Sequence, residues 1–567
     1  MSYFSTERSA QSTNNVQLTY ADILYDHAGF LRKYDGLLGP AGAMNGKNVA
    51  VVGAGPAGMC AAYLLDQQGA NVTIFEASSR IGGRVYSYEP IPGDGAIFEM
   101  GAMRVPPSEQ IFGYFTEKFG VHPGGQFPDP GKVDTSIIFQ NQTYDWPKGG
   151  TAPSIFDNVS KGWGALAGSW MNEVGNYLMD PSDFPKAKAN WQKLIYPSAP
   201  LGPEQGYSTI SFFQGLVQAF VENASKWGCD PWSVRDFSLF GALGLGSGGF
   251  GPLYQVNFAE IARLVVNGLE TDQKFYPGGL DALIAGFKNG LTNSSIKTNC
   301  KVIAVEGTDG SGSRAPVGIT YQPGSSSPVT GKFDAAIIAT TTRSMQVDMA
   351  LTDPIYWKPP LPETANTAIR ELHLMNSSKL FVLTKTKFWE HGNYPANIQT
   401  DGLCRGLYCL DYPSAGGYGV VLISYTWGDD STKYIALKDP AERLEILLQS
   451  LTPGAQSFVT KLRSEIMPQY TKMVDWQDES QYYGAFKLNY PGQDPRNRDL
   501  YYHFLNAQWN GVFLAGDSVG WCGGWIEGAL QTGVNAAAGV VGDLTGYSGI
   551  YRDGPLSQSS DLYDYGP

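Results

Sequence analysis

The sequence predicts an α/β protein: a Rossmann-type dinucleotide-binding domain interleaved with a mixed-sheet substrate domain and a helical region. Three stretches carry that prediction. KNVAVVGAGPAGMCAAYLLDQQGANVTIFEA, residues 47–77, runs as apolar strand, glycine turn, helix, second apolar strand and acid, which is a βαβ unit. SSKLFVLTKTKFW and GYGVVLISYTW alternate like strands of a second sheet. Residues 150–270 are rich in Trp, Phe and Gly, with helical patches such as SFFQGLVQAFVENASKW.

Each element has a chemical reason. Gly53, Gly55 and Gly58 form G-x-G-x-x-G between strand and helix. The first permits the tight turn, the second lets backbone approach a pyrophosphate, and the third lets helix and strand pack closely; the helix N-terminus then favours phosphate charge. Glu76, 18 residues after Gly58, closes the second strand where a ribose would donate to it. An acid there disfavours a 2′-phosphate. Just beyond, Arg80, Gly82, Gly83 and Arg84 make RIGGR, a second glycine turn flanked by cations that can fold over a diphosphate. Near the C-terminus GVFLAGDSVGWCGGWIEGALQTGVNAAAGVV gives strand, glycine-rich turn and helix again.

Composition narrows the partners. The 567 residues exceed one ordinary domain. A net charge of −13 with scattered Lys and Arg argues against a nucleic-acid or anionic-membrane surface. Cysteines 60, 229, 300, 404, 409 and 522 contain no CxxC pair and no metal-like grouping with the five histidines, so no metal is expected and all six are taken as reduced thiols. The N-terminus lacks the apolar core of a signal peptide, and no run reaches the roughly 18 apolar residues of a membrane span, so a cytoplasmic protein is expected.

IFEMGAMRVPP, residues 97–107, sets Arg104 among apolar and small residues with only Glu99 as a nearby acid. A buried guanidinium needs either a structural acid or an anion that comes and goes.

With the two glycine motifs in place, the chain resembles the flavin-dependent amine oxidase superfamily, of the GR2 type, and most of all its tryptophan 2-monooxygenase and L-amino-acid oxidase subgroup. The shared stretches include DILYDHAGFL, EMGAMRVPPS, GLGSGGFGPLYQ, RGLYCLDY, LISYTWGDD, GAFKLNYPG and GGWIEGALQT, spread over nearly the whole chain. The resemblance implies noncovalent FAD, because the family's covalent flavin cysteine lies elsewhere in such turns than Cys522. It also implies cofactor contacts from Met103, Arg104, Val302, Asp517, Trp525 and Ile526 beside the motif residues. The C-terminal turn, Gly523 to Ala529, would set a helix N-terminus near the isoalloxazine, where its dipole stabilises electron density on reduction.

By the same resemblance Arg104 pairs with a substrate α-carboxylate, with help from Tyr412 in CLDY. Trp476 and Trp525 flank the substrate, and Lys379 reaches flavin N5 through a water. The implied reaction is hydride transfer from an L-amino acid to the flavin and reoxidation by dioxygen. An oxidase would release 2-oxo acid, ammonia and peroxide; a 2-monooxygenase would release amide, CO2 and water; an amine or polyamine oxidase is the further alternative. The aromatics crowding residues 207–258 point to bulky hydrophobic or aromatic side chains. The family also suggests a homodimer. The chain divides into an N-terminal segment (1–45), FAD-binding parts (46–110, 271–350 and 481–545), a helical, substrate-facing region (111–270), a substrate-binding domain (351–480) and a flexible tail (546–567).

Overall fold

The computed structural model describes residues 20–195, 206–243, 249–307, 316–350, 357–358, 360–506 and 511–558. The end of the tail and the first part of GLGSGGFGPLYQ lie outside the described residues. Strand Asn48–Val52 is the middle of a five-stranded parallel sheet, ordered Val512–Leu514, Ala335–Ile338, Asn48–Val52, Asn71–Phe75, Ser295–Lys297. Residues 49–52 are all buried, which is why this strand reads as a continuous apolar run without alternation. Helix Pro56–Gln67 follows the glycine turn, and helix Ile526–Thr545 crosses it. A Cβ on Gly533 would sit 2.6 Å from the Ala57 carbonyl oxygen, so the missing side chain sets how closely the two helices meet. Both helices are apolar nearly all round, as helices buried within a large protein are.

A seven-stranded mixed sheet forms the second layer, ordered Lys472–Asp475, Ser377–Thr384, Gly419–Trp427, Gly406–Leu410, Asn397–Thr400, Thr135–Phe139, Gln142–Trp146. Its last two strands come from a stretch expected to be helical. They form a hairpin whose two loop residues, Gln140 and Asn141, have φ of 51° and 62°, the backbone that matches a tight hairpin to the strand twist.

The rest of that stretch is helical, including Asp157–Glu173, Phe184–Ile195, Val234–Leu243 and Phe258–Val266. Its aromatics mostly pack on one another: the Trp163 ring meets Trp170, Phe212, Phe240 and Phe250 at centroid distances from 5.3 to 5.9 Å. The aromatic crowding is therefore chiefly a core, and among its described aromatics only Phe250 reaches the site described next. All six cysteines are buried and unpaired. No described helix is long and apolar enough to cross a membrane.

Candidate active site

The first glycine turn is shaped by two steric demands. Gly53 has φ of 100°, and a Cβ on Gly58 would fall 2.0 Å from the Gly53 carbonyl oxygen. The turn opens onto a cavity that encloses about 1270 Å³ of space, open solvent included. Gly53, Gly55, Glu76, Gly83, Arg84, Val302, Asp517, Trp525 and Ile526 all line it. The Glu76 carboxylate accepts from the Ala54 and Ser78 amides, both at 2.9 Å, and is fixed at the end of its strand. Arg84 forms an ion pair with Asp517 and donates to the Ala485 carbonyl at 2.6 Å, tying the second glycine turn to the C-terminal strand.

Arg80 does something else. Its guanidinium donates to the Gly83 carbonyl at 2.6 Å and lies 4.0 Å from the Tyr86 ring centre, so it pins the RIGGR turn and does not line the cavity. Gly58 likewise stands behind the wall, against Gly53 and Val51.

A second cavity of about 870 Å³ abuts the first. Gly101, Ala102, Tyr425, Phe486, Gly524, Trp525 and Ile526 line both. Gly101 is small for a backbone reason: a Cβ there would meet the Arg84 carbonyl oxygen at 1.8 Å. Arg104 and Met103 open on this second cavity. The Arg104 side chain is only 7% exposed. Its partner is not Glu99: Nη1 donates to Gln273 at 3.0 Å and lies 3.7 Å from the Glu270 carboxylate. The rest of the guanidinium faces aromatic rings, 5.6 Å from the Phe127 centre and 5.9 Å from that of Tyr425.

The sheet register builds the wall between the cavities. Lys379 and Tyr425 are directly paired on antiparallel strands, and Trp476 follows the neighbouring strand, its amide bonded to the Ser377 carbonyl. Lys379 Nζ donates to the Glu99 carbonyl at 2.9 Å and to that of Gly101, and lies 4.8 Å from the Tyr425 ring centre. Burial pulls its pKa down to about 7, opposed by Glu99 and reinforced by the Arg104 cation. Burial pushes Glu99 up to about 7 against hydrogen bonds from Leu280 and Ser87. Trp476 Nε1 donates to the Met100 carbonyl at 3.1 Å, turning its ring onto the first cavity.

Tyr412 is placed elsewhere. It is buried against Phe275, with ring centres 5.2 Å apart, and lines neither cavity. The tyrosine beside Arg104 is Tyr425, which motif matching passed over. Its position opposite Lys379 is visible only once the two strands are paired. Glu109, Glu270, Trp427 and Phe486 were likewise not singled out by motif. Glu527, from the C-terminal turn, does not face either cavity; it accepts the Ile111 and Phe112 amides at 2.9 Å and caps helix Gln110–Lys118.

A cavity bordered by a glycine turn at a helix N-terminus, sharing a wall with a smaller one onto which a buried guanidinium opens, suits a dinucleotide-dependent oxidoreductase. The chain belongs to the family of flavin containing amine oxidoreductases, which its residues 56–541 match. It is 36% identical over 563 residues to tryptophan 2-monooxygenase of Pseudomonas savastanoi, covering 96% of this chain and 98% of that one. To L-amino-acid oxidase of Demansia vestigiata it is 26% identical over 520 residues, covering 88% and 87%. Its fold matches wild-type putrescine oxidase bound to putrescine with a TM-score of 0.63 at 17% identity, over 87% of this chain and 99% of that one. The protein is thus a flavin-dependent oxidoreductase of amine oxidase fold.

Proposed function

We propose that the protein holds FAD noncovalently in the longer cavity and oxidises an L-amino acid of bulky, aromatic side chain in the shorter one, acting as a 2-monooxygenase with tryptophan as first candidate. The observation that carries the reading is Arg104, a buried guanidinium that opens on a largely apolar cavity between Gln273, Glu270 and Tyr425. A planar guanidinium suits a carboxylate, and an amine without one has no need of it.

The residues fit an FAD. A Cβ on Gly55 would meet nothing closer than Gly83 Cα at 3.8 Å, leaving backbone open to a diphosphate. Glu76 would take the ribose, and Arg84, held by Asp517, and Gly83 would face the diphosphate; Trp525 and Ile526 begin a helix whose first amides have no side-chain cap. Cys522 is buried, its thiol pushed well above the usual range by burial, and it lines neither cavity, which supports a noncovalent cofactor. Bound flavin would supply the two-electron acceptor for the substrate Cα–H and pass the pair to dioxygen.

The chain's own residues bind, orient and exclude water. Arg104 and Tyr425 hold the carboxylate at the shared wall, Trp525 and Phe486 flank the reacting carbon, and Lys379 stands beside them with a proton it can hold or release near neutral pH. This assigns to Tyr425 the task the family resemblance gave Tyr412. No strong base is needed; orientation and electrostatics do the work. The 2-monooxygenase is put ahead of the simple oxidase by the 36% identity, over nearly both full lengths, to the Pseudomonas savastanoi enzyme, against 26% to the oxidase. The cytoplasmic location and homodimer belong to the same reading; unpaired buried cysteines support the former.

The experiment is to incubate the holoenzyme with each of the twenty L-amino acids and oxygen and identify the products. Amide and CO2 from tryptophan are expected. Oxo acid with peroxide would make the protein an oxidase. Turnover of tryptamine but not tryptophan would overturn the carboxylate reading.

A further inference from the structure

One group in the shorter cavity has no part in that reading. Glu109 lines it, is 3% exposed, and neither of its carboxyl oxygens has a hydrogen-bond partner among the described residues. Its backbone position is the N-cap of helix Gln110–Lys118, where a side-chain acceptor ordinarily bonds the first free amides. Glu109 makes no such bond, because the Glu527 carboxylate already accepts from Ile111 and Phe112. The carboxyl is therefore displaced from the one structural task its position offers. Burial and the neighbouring Glu527 charge push it well above the usual carboxylate range, offset in part by the Glu527 backbone amide, which is near enough to act on the carboxyl without the geometry of a full hydrogen bond. Arg104 and Glu270 line the same cavity. The rest of the lining is largely apolar, with Phe250, Leu253, Leu264 and Leu488.

We infer that Glu109 is a specificity-determining residue whose carboxyl accepts a hydrogen bond from a neutral N–H on the substrate side chain, the indole N–H of tryptophan. The inference rests on the amino-acid reading of this cavity. A neutral acid offers a carbonyl acceptor without asking for a counter-ion, which an apolar pocket does not provide. A site built around such a bond rejects an isostere that lacks the donor.

The test uses the holoenzyme with L-tryptophan and with 3-(3-benzothienyl)-L-alanine, in which sulfur replaces the N–H at nearly equal size. Wild type is expected to favour tryptophan in kcat/KM by about tenfold or more. Glu109→Leu should bring the two substrates to within about twofold of each other, while Glu109→Gln, whose amide oxygen still accepts, keeps the preference. Flavin content is measured for each variant. Equal use of the two substrates by wild type would overturn the inference, and so would a Glu109→Leu variant that loses the same factor on both. If Glu109→Leu fails to hold flavin, the wild-type preference and the Glu109→Gln variant decide. Wild-type turnover confined to lysine or arginine and lost in Glu109→Gln would overturn the neutral donor. Absence of any amino-acid turnover by wild type would instead overturn the reading beneath it.

Discussion

Arg104 lies five residues from Glu99 in sequence, yet its guanidinium turns to Gln273 and Glu270, and Glu99 turns to Ser87 and Leu280. The Glu270 contact, at 3.7 Å, is long for a charge-assisted hydrogen bond and leaves room for a better anion. Arg104→Lys keeps the charge and removes the fork. It should raise KM for amino acids by about 100-fold while the flavin spectrum and content stay at wild-type level. Steady-state kinetics and absorbance check both, and loss of flavin would instead mark the arginine as structural. At this scale sequence was a good guide to the type of residue and a poorer one to its partner. GAMR singles out an arginine that opens on the second cavity, but the tyrosine near it depends on which strands pair: Tyr425 sits opposite Lys379, whereas Tyr412, past the end of its strand, packs on Phe275.

Elements were legible where local chemistry determined them. The βαβ unit, both glycine turns and the C-terminal helix follow from apolar runs and from glycines that must exist for backbone to pass backbone. The clearest case is Gly58, whose added Cβ would fall 2.0 Å from Gly53 oxygen and 3.1 Å from a Val51 methyl. Gly58→Ala should force the helix off the strand and yield protein with less than about a tenth of wild-type flavin, since the proposed FAD would rest its pyrophosphate on the first turn. Gly164→Ala provides the contrast. It lies within helix Asp157–Glu173 with nothing within 4 Å of its would-be Cβ, and should stabilise by about 0.5–1 kcal/mol without changing flavin content. Equal flavin content in both variants would refute the steric account. The hairpin Thr135–Phe139 and Gln142–Trp146 was less legible, because its partner strand Asn397–Thr400 lies far along the chain and only pairing explains its burial.

Across the whole molecule, the segments that read as separate regions are joined by buried charge. Arg263, from the helical region, donates to Asp22 of the N-terminal segment at 2.7 Å and to Asp494, near the C-terminal nucleotide strand, at 2.5 Å. Asp22 also accepts from Trp191 at 2.9 Å, and Asp494 from Asn257 and Asn489 at 2.7 and 2.8 Å. No motif announces this network; it requires aspartates more than 450 residues apart to find one cation. The net gain of a buried ion pair over an apolar substitute is small, but removing one member strands the others. Arg263→Met should therefore leave Asp22 and Asp494 uncompensated and cost about 3–5 kcal/mol, read as a lower denaturant midpoint for the holoenzyme. Asp22→Asn in the same background removes one stranded charge and should recover part of that loss, which a purely steric defect from the Arg263 replacement would not allow. An unchanged midpoint in the single variant would mean the acids take up protons at little cost and the three regions are held by apolar packing alone.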